Sequence, residues 1–204
     1  MMKSDATHTR ERRRERNLGA ILDAAREIVL ERGPANLSLR ETARRADYSP
    51  AALYRYFANK DQLLAALGMD AVTVLGHHIE GVDATLPPRE RLVALGEAYI
   101  AFADQHPEQF ELLDRLQLPA TTWERYVEVA RPFTLIVGAV SEAMAAGAIA
   151  AGDAGAAALG LWALAHGFAA LRAGHLRVVE APHAQLRRTA FETYVRGLEE
   201  GVAR

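Results

Sequence analysis

Residues 38–60 constrain the fold of this chain more than any other segment, because they carry two helix starts close together. Ser38 and Glu41 have the spacing of a capping box, in which each side chain accepts a hydrogen bond from a backbone N–H at the helix start. Ser49 followed by Pro50 marks a second start, since serine caps helices and proline fits their first turn. Two short helices joined by a tight turn are therefore predicted, over residues 39–46 and 50–57.

Helices this short are not stable alone, so the pair must be packed against other elements. Its layout is that of a helix-turn-helix, whose second helix enters the major groove of DNA. Small residues at Pro50, Ala51 and Ala52 would let the start of that helix approach the base edges. Short helix pairs also occur in ordinary helical bundles, so the layout alone leaves both interpretations open.

The same segment closely resembles the helix-turn-helix of the TetR family of transcriptional repressors. The matching residues are Leu53-Tyr54, Tyr56-Phe57 and Lys60. The resemblance implies that Tyr54 and Tyr56 contact the DNA backbone. It also implies that Phe57 packs under the second helix and that Lys60 begins the next helix against a phosphate.

Base contacts are implied by the resemblance at the first turn of the second helix and at the start of the first. Arg40 has the strongest chemistry for base reading, because a guanidinium can bond guanine O6 and N7 together, with about 1–3 kcal/mol of discrimination. With the two capping serines, the predicted DNA-binding residues are Ser38, Arg40, Ser49, Pro50, Ala51, Tyr54, Arg55, Tyr56 and Lys60. In the turn, Asp47-Tyr48 replaces the Gly-Val common in the family, and aspartate tolerates a left-handed conformation less easily than glycine.

Charge is distributed unevenly along the chain. Residues 1–60 hold 13 Lys and Arg against 8 Asp and Glu, whereas residues 61–204 hold 11 against 18. A basic N-terminal module and an acidic remainder are expected when only one end of a protein meets DNA. Part of the basic excess is expected ahead of the first helix, either as a solvated terminus or as a minor-groove arm: Arg10, Arg12, Arg13, Arg14 and Arg16.

Composition favours a cytoplasmic protein without catalytic machinery. The chain has no cysteine, which fits a reducing compartment, and no apolar run at the N-terminus suggests a secretory signal. The uncharged stretch 154–171 is weakly apolar and contains His166, so we interpret it as a soluble helix and expect no membrane partner. No nucleophile elbow, phosphate loop or metal-ligand spacing is present, and adjacent His77 and His78 diverge on a helix. No enzyme activity, catalytic residue, metal or cofactor is predicted.

Helical periodicity dominates the whole sequence, so an all-α fold of about nine helices is predicted. Two domains are expected, an N-terminal arm with a three-helix DNA-binding domain over residues 1–62 and a helical ligand-binding and dimerisation domain over 63–204. A seam of small residues, including Gly160 and Gly167, recurs along the helix predicted over 153–175. The family resemblance implies a homodimer built by the last two helices. The candidate interface residues are Gly160, Gly167, Phe168, Phe191, Tyr194 and Leu198, and the alternative is close packing inside a monomer.

The C-terminal region resembles TetR-type regulators that carry a Trp-x-x-x-His-Gly signature, here Trp162, His166 and Gly167. That resemblance implies a pocket for a small, largely apolar molecule. The candidate ligand-binding residues are Phe102, His106, Trp123, Tyr126, Phe133, Trp162 and His166, and ordinary core packing is the alternative for each of them. The sequence thus predicts a ligand-responsive repressor of a near-palindromic operator, or a related regulator that is constitutive or controlled by a protein partner.

Overall fold

The computed structural model describes residues 3–114, 130–174, 176, 178–180 and 182–200. Within those residues the chain forms nine α-helices and one 3-10 turn, and it contains no strand. The expected all-α fold is confirmed. Packing divides the chain into two compact units: unit 1 holds residues up to Ala71 together with the described residues 108–114, and unit 2 holds Val72–Pro107 with the later helices.

Unit 1 contains the helix-turn-helix. Its elements are α1 (Lys3–Arg32), a 3-10 turn (Pro34–Asn36), α2 (Leu39–Arg45), α3 (Pro50–Leu53), the first half of α4 (Lys60–Glu80) and α6 (Pro107–Asp114). These elements share one apolar core. α1 contributes a stripe at helical spacing that includes Ile21, Ile28 and Val29. Leu53 and Phe57 are buried in the same core, so the region after α3 is fixed from beneath.

The second helix of the pair is shorter than predicted. The sequence suggested a helix over residues 50–57, but α3 ends at Leu53 and the following residues form hydrogen-bonded turns. Both Tyr56 N–H and Phe57 N–H donate to the carbonyl of Leu53, at 2.8 and 3.1 Å. Tyrosine and phenylalanine are modest helix formers, and burial of Phe57 outweighs continuation of the helix.

The arginines at positions 10–16 do not precede the first helix, which corrects the expectation of an arm ahead of it. They lie inside α1, which begins at Lys3. Arginine and glutamate are both good helix formers, so this charged stretch extends the helix without needing an apolar face. The side chains of residues 12–16 are exposed.

The turn between α2 and α3 is a Schellman motif built on an unusual residue. Tyr48 N–H donates to the carbonyl of Ala43 at 2.8 Å, and Asp47 N–H lies 3.4 Å from that of Arg44. Asp47 takes the left-handed position with φ of 58°. Aspartate can adopt this conformation, but glycine does so without a steric penalty.

Replacing Asp47 by glycine is expected to stabilise the protein slightly, by up to about 1 kcal/mol, because relief of the left-handed strain outweighs the entropy of glycine in the unfolded chain. Asp47→Val should instead destabilise it, since a β-branched side chain is poorly tolerated at this φ. Thermal unfolding of the two variants checks the prediction. A glycine variant less stable than the parent would show that the aspartate side chain itself supports the turn.

Unit 2 is a helical body. It contains the second half of α4, then α5 (Pro88–Gln105), α7 (Arg131–Ala145), α8 (Ala154–Ala173) and α9 (His183–Glu200). Asp153 caps α8 by accepting a hydrogen bond from Ala156 N–H at 3.0 Å. Because the packing units divide within α4, the predicted domain boundary between residues 62 and 63 stays a prediction.

Two glycines let helices of unit 2 approach closely. A methyl group added at Gly96 of α5 would lie 2.5 Å from Cε1 of Phe191, whose side chain is fully buried. A methyl group at Gly160 of α8 would lie 2.2 Å from the hydroxyl of Tyr194. That hydroxyl donates to the carbonyl of Ala157 at 2.7 Å, and burial raises the pKa of Tyr194. Glycine is therefore required at these two positions for α9 to pack on α5 and α8.

Candidate nucleic-acid interface and effector site

Serine side chains cap both helices of the pair. Ser38 Oγ accepts a hydrogen bond from Glu41 N–H at 3.2 Å, and Ser49 Oγ accepts one from Ala52 N–H at 3.1 Å. The Glu41 carboxylate binds Nε and a terminal nitrogen of Arg44, at 3.0 and 2.6 Å. The caps fix where α2 and α3 begin, and so fix the direction in which residues of their first turns project.

The arginines of this region differ in whether they form ion pairs with carboxylates of the protein. Arg45 binds both carboxylate oxygens of Glu31 at 2.8 Å, and Arg44 is held by Glu41. Arg40 and Arg55, by contrast, are exposed and form no ion pair with the described residues. Their guanidinium groups are therefore available to a ligand outside the protein.

Two tyrosines follow directly after α3, which ends at Leu53. Tyr54 is 57% exposed, which leaves its hydroxyl accessible to a phosphate. Tyr56 is half-buried: its hydroxyl accepts a hydrogen bond from Asn17 Nδ2 at 3.2 Å, and its ring meets that of Tyr48 edge to face with centroids 6.5 Å apart. The contacts with Asn17 and Tyr48 orient Tyr56 before any partner binds.

Lys60 has a contact that sequence reasoning missed. Its Nζ donates to the carbonyl of Ala35 at 2.6 Å, which ties the 3-10 turn to the start of α4. An ammonium group has three donors, so this bond leaves two for a phosphate. The contact depends on a tertiary approach across 25 residues, for which the local sequence carries no signal.

Three of the predicted DNA-binding residues lie together on the surface of unit 1. Ser38, Arg40 and Pro50 line a shallow depression between α2 and α3, along with Glu41, Arg44 and Tyr48. Exposed Ala51 and Ser49 complete the start of α3. Two capped helices joined by a tight turn, with exposed cationic and phenolic side chains, define a helix-turn-helix DNA-binding protein.

Comparison with known proteins gives the family. Residues 21–67 match the family described as bacterial regulatory proteins, tetR family, and residues 92–194 match tetracyclin repressor-like, C-terminal domain. The chain belongs to the TetR family of transcriptional regulators. It is 33% identical over 145 residues to the HTH-type transcriptional regulator Rv1816 of Mycobacterium tuberculosis (strain ATCC 25618 / H37Rv). The match covers 69% of this chain and 60% of Rv1816, so the chain spans less than two thirds of that relative.

Solved structures show the same fold over most of the chain. A protein of unknown function from Rhodococcus sp. RHA1 superposes with a TM-score of 0.70 and 32% identity, covering 88% of this chain and 94% of that protein. A TetR variant from Acinetobacter baumannii AYE, in complex with minocycline, superposes with a TM-score of 0.66 and 16% identity, covering 89% and 96%. At that identity the second likeness concerns the fold alone.

A cluster of aromatic and imidazole rings occupies the interior of unit 2. Trp162 meets Tyr99 and Phe133 edge to face, with centroid distances of 5.1 and 5.8 Å. Phe102 packs 5.9 Å from His106. The structure therefore brings together five of the predicted ligand-binding residues, namely Phe102, His106, Phe133, Trp162 and His166, while Trp123 and Tyr126 lie outside the described residues.

Two further residues of the ring cluster were absent from the sequence-based set. Tyr99 shares a hydrogen bond with Nδ1 of His166 at 2.9 Å, and the ring of His78 lies 5.5 Å from that of His106. Burial, and then repulsion from His106 and His77, lowers the pKa of His78. Tyr99 could have been found, because it shares a helical stripe with Phe102 and His106. His78 comes from a different helix, α4, so only tertiary packing assigns it.

The predicted dimer residues fall into two groups. Phe191 is fully buried against Gly96 and Phe168 of its own chain, and Gly160 and Tyr194 pack together. The side chain of Phe191 is inaccessible to a second chain, so its assignment to the interface is corrected. Three of the predicted interface residues are partly exposed: Gly167, Phe168 and Leu198.

Apolar residues missed by the sequence analysis are exposed on the last two helices. Leu159 and Leu171 of α8 are 46% and 45% exposed, and Leu186 of α9 is 52% exposed. The small residues Ala163 and Ala170 lie between the two leucines and are also exposed. By length and composition alone α8 could cross a membrane, a test that the core helix of a soluble protein also passes.

Proposed function

We propose that this TetR-family regulator is a homodimeric, ligand-responsive repressor whose two helix-turn-helix units bind successive major grooves of a near-palindromic operator, about 34–36 Å apart. The observation that carries the proposal is the exposed set of Arg40, Tyr54 and Arg55 beside two capped helix starts. Arginine reads guanine and the tyrosine hydroxyl can bind phosphate, so the surface combines base and backbone contacts. Such a protein acts in the cytoplasm, where its DNA lies.

Dimerisation is proposed through the exposed apolar face of α8 and α9. Leucines and small residues together allow two helix pairs to approach closely, as in a four-helix bundle. An exposed apolar surface of this kind marks an interaction site in soluble proteins. The two-fold symmetry of a dimer would supply two DNA-binding units, which a near-palindromic operator requires.

The dimer can be tested at Gly167, where an added Cβ meets no atom within 4 Å of its own chain. Gly167→Glu should yield a folded monomer, because the carboxylate would be buried without a partner in the dimer but solvated in the monomer. Gly19→Glu is the matched control, since Gly19 is an exposed helical glycine of α1 with equally open surroundings. Analytical ultracentrifugation of both variants measures the effect. Dimers of unchanged affinity for Gly167→Glu would place the interface elsewhere.

The effector is proposed to be a small, largely apolar molecule held beside the ring cluster. Indole, phenol and phenyl rings provide apolar faces, while the imidazoles of His106 and His166 provide polar points for orientation. The Acinetobacter baumannii TetR variant, which shares this fold, is described in complex with minocycline. α4 continues from unit 1 into unit 2, and a ligand that changes its position would lower DNA affinity by a coupling free energy of about 1–3 kcal/mol.

A direct test is fluorescence anisotropy of the purified protein with the DNA upstream of its own coding region, in competition with unrelated DNA at two salt concentrations. Tight binding that resists the competitor supports a sequence-specific autoregulator. Equal weak binding to both DNAs would contradict autoregulation. Titration of apolar compounds, followed by tryptophan fluorescence and by release of the DNA, then tests the effector. Absence of any response across a broad panel would favour the alternative, a constitutive or partner-controlled regulator.

A further inference from the structure

α1 continues well beyond the core of unit 1. Leu18 is the first of its residues that packs against the apolar core, so residues 3–16 extend past it. At 1.5 Å per residue, this extension is about 21 Å long. Arg13 and Arg14 are exposed within it and form no ion pair in the described part of the chain. Two exposed arginines without an ion pair in unit 1 are available to a partner outside it.

The extension departs from the unit beside a predicted DNA contact. Asn17 Nδ2 donates to the hydroxyl of Tyr56 at 3.2 Å. Positions 10, 13, 14 and 17 follow the i, i+3, i+4, i+7 spacing, so they share one stripe of α1. Arg13 and Arg14 therefore lie one turn beyond the Asn17–Tyr56 contact, on the same side of the helix.

Acidic residues do not interrupt that stripe. Glu11 and Glu15 are four residues apart and lie together on a different side of the helix. In the turn before the contact, the side that holds Asn17 against Tyr56 therefore carries the exposed Arg13 and Arg14. A DNA backbone bound at Tyr56 would therefore pass close to Arg13 and Arg14.

We infer that Arg13 and Arg14 bind the phosphate backbone of DNA beside Tyr56, as a helical clamp that extends the contact of the helix-turn-helix. The inference rests on the proposed DNA-binding function. A helix is about 10–12 Å wide with its side chains, whereas the minor groove is about 6 Å wide, so the extension follows the backbone and does not enter the groove. Arginine suits this role because its planar fork can bind two phosphate oxygens.

The test compares two double variants that remove the same charge from different sides of α1. Arg13→Ala with Arg14→Ala removes the proposed clamp. Arg12→Ala with Arg16→Ala is the matched control, because positions 12 and 16 lie four residues apart on a side away from Asn17. DNA affinity is measured by anisotropy from low to high salt on the full-length protein, with circular dichroism as a check on helix content.

Loss of the clamp should make the plot of log affinity against log salt shallower by about 1.8 for each helix-turn-helix unit, since each phosphate contact contributes about 0.9. Affinities for specific and unrelated DNA should fall by the same factor, because phosphate contacts carry no sequence information. The control pair should change the slope much less. Equal slopes for the two double variants, or an unchanged slope for the clamp variant, would overturn the inference. The salt slopes can be measured on any duplex, so they test the clamp independently of sequence preference. If the parent protein showed no preference for the operator over unrelated DNA, the proposed function would be refuted instead.

Discussion

Phe191→Ala is expected to lower the free energy of unfolding by about 3–5 kcal/mol, the usual cost of truncating a fully buried phenylalanine in a core that relaxes only in part. The ring is completely enclosed between α5, α8 and α9 of unit 2. Domains retain only about 5–15 kcal/mol of net stability, so a loss of this size is large. Chemical denaturation followed by circular dichroism measures it. A loss below about 1 kcal/mol would mean that the ring is not packed as described.

Gly96 offers the complementary change at the same contact. Gly96→Ala should destabilise the protein by about 1–3 kcal/mol, because the new methyl group meets the Phe191 ring and forces α5 and α9 apart. The free energy of unfolding lost by the double variant Gly96→Ala with Phe191→Ala should be smaller than the sum of the two single losses, since alanine at position 191 makes room for the methyl group. Gly138→Ala in α7 is the control, because a Cβ there meets nothing within 4 Å and alanine favours the helix by up to about 1 kcal/mol.

Arg40→Ala is expected to relax DNA sequence preference by about 1–3 kcal/mol for each helix-turn-helix unit, the range for a bidentate arginine–guanine contact. Affinity for unrelated DNA should change far less than affinity for the operator. Competition binding with a set of operator variants, each changed at one base pair, measures the difference. The lost discrimination should concentrate at one position of each half-site.

Arg44→Ala provides the control for Arg40, because it removes the same charge from the same helix. Arg44 is bound by Glu41, so its guanidinium is already engaged within the protein. We expect Arg44→Ala to weaken binding to all sequences evenly and to leave the preference intact. If both variants lost preference equally, charge rather than base reading would explain the role of Arg40.

Local sequence signals were sufficient for the helix-turn-helix. Ser38 and Ser49 cap the helices where predicted, because a cap depends on residues within four positions of each other. The left-handed turn at Asp47 was also foreseeable, since the chain must reverse between two adjacent helix starts. The end of α3 was not, because burial of Leu53 and Phe57 in a shared core decides where the helix stops.

The ring cluster beside which we propose the effector to bind was predicted less completely, because its residues come from separate helices. The Trp-x-x-x-His-Gly signature led to Trp162 and His166, and helical spacing led to Phe102 and His106. The bond between Tyr99 and His166 crosses 67 residues, and no local pattern indicates such a contact. His78 joins the cluster for the same reason, through the approach of α4 to α5 within unit 2.

The sequence by itself determined the fold class and the starts of α2 and α3, since caps, turns and periodicity act within one or two helical turns. The DNA-reading residues stay a prediction from the same segment. Only the tertiary structure decided how the small residues are used. Gly160 and Gly167 look equivalent along the chain, yet Gly160 admits Tyr194 and Gly167 remains open. The packing of α9 distinguishes the two glycines, and packing depends on contacts between residues far apart in sequence.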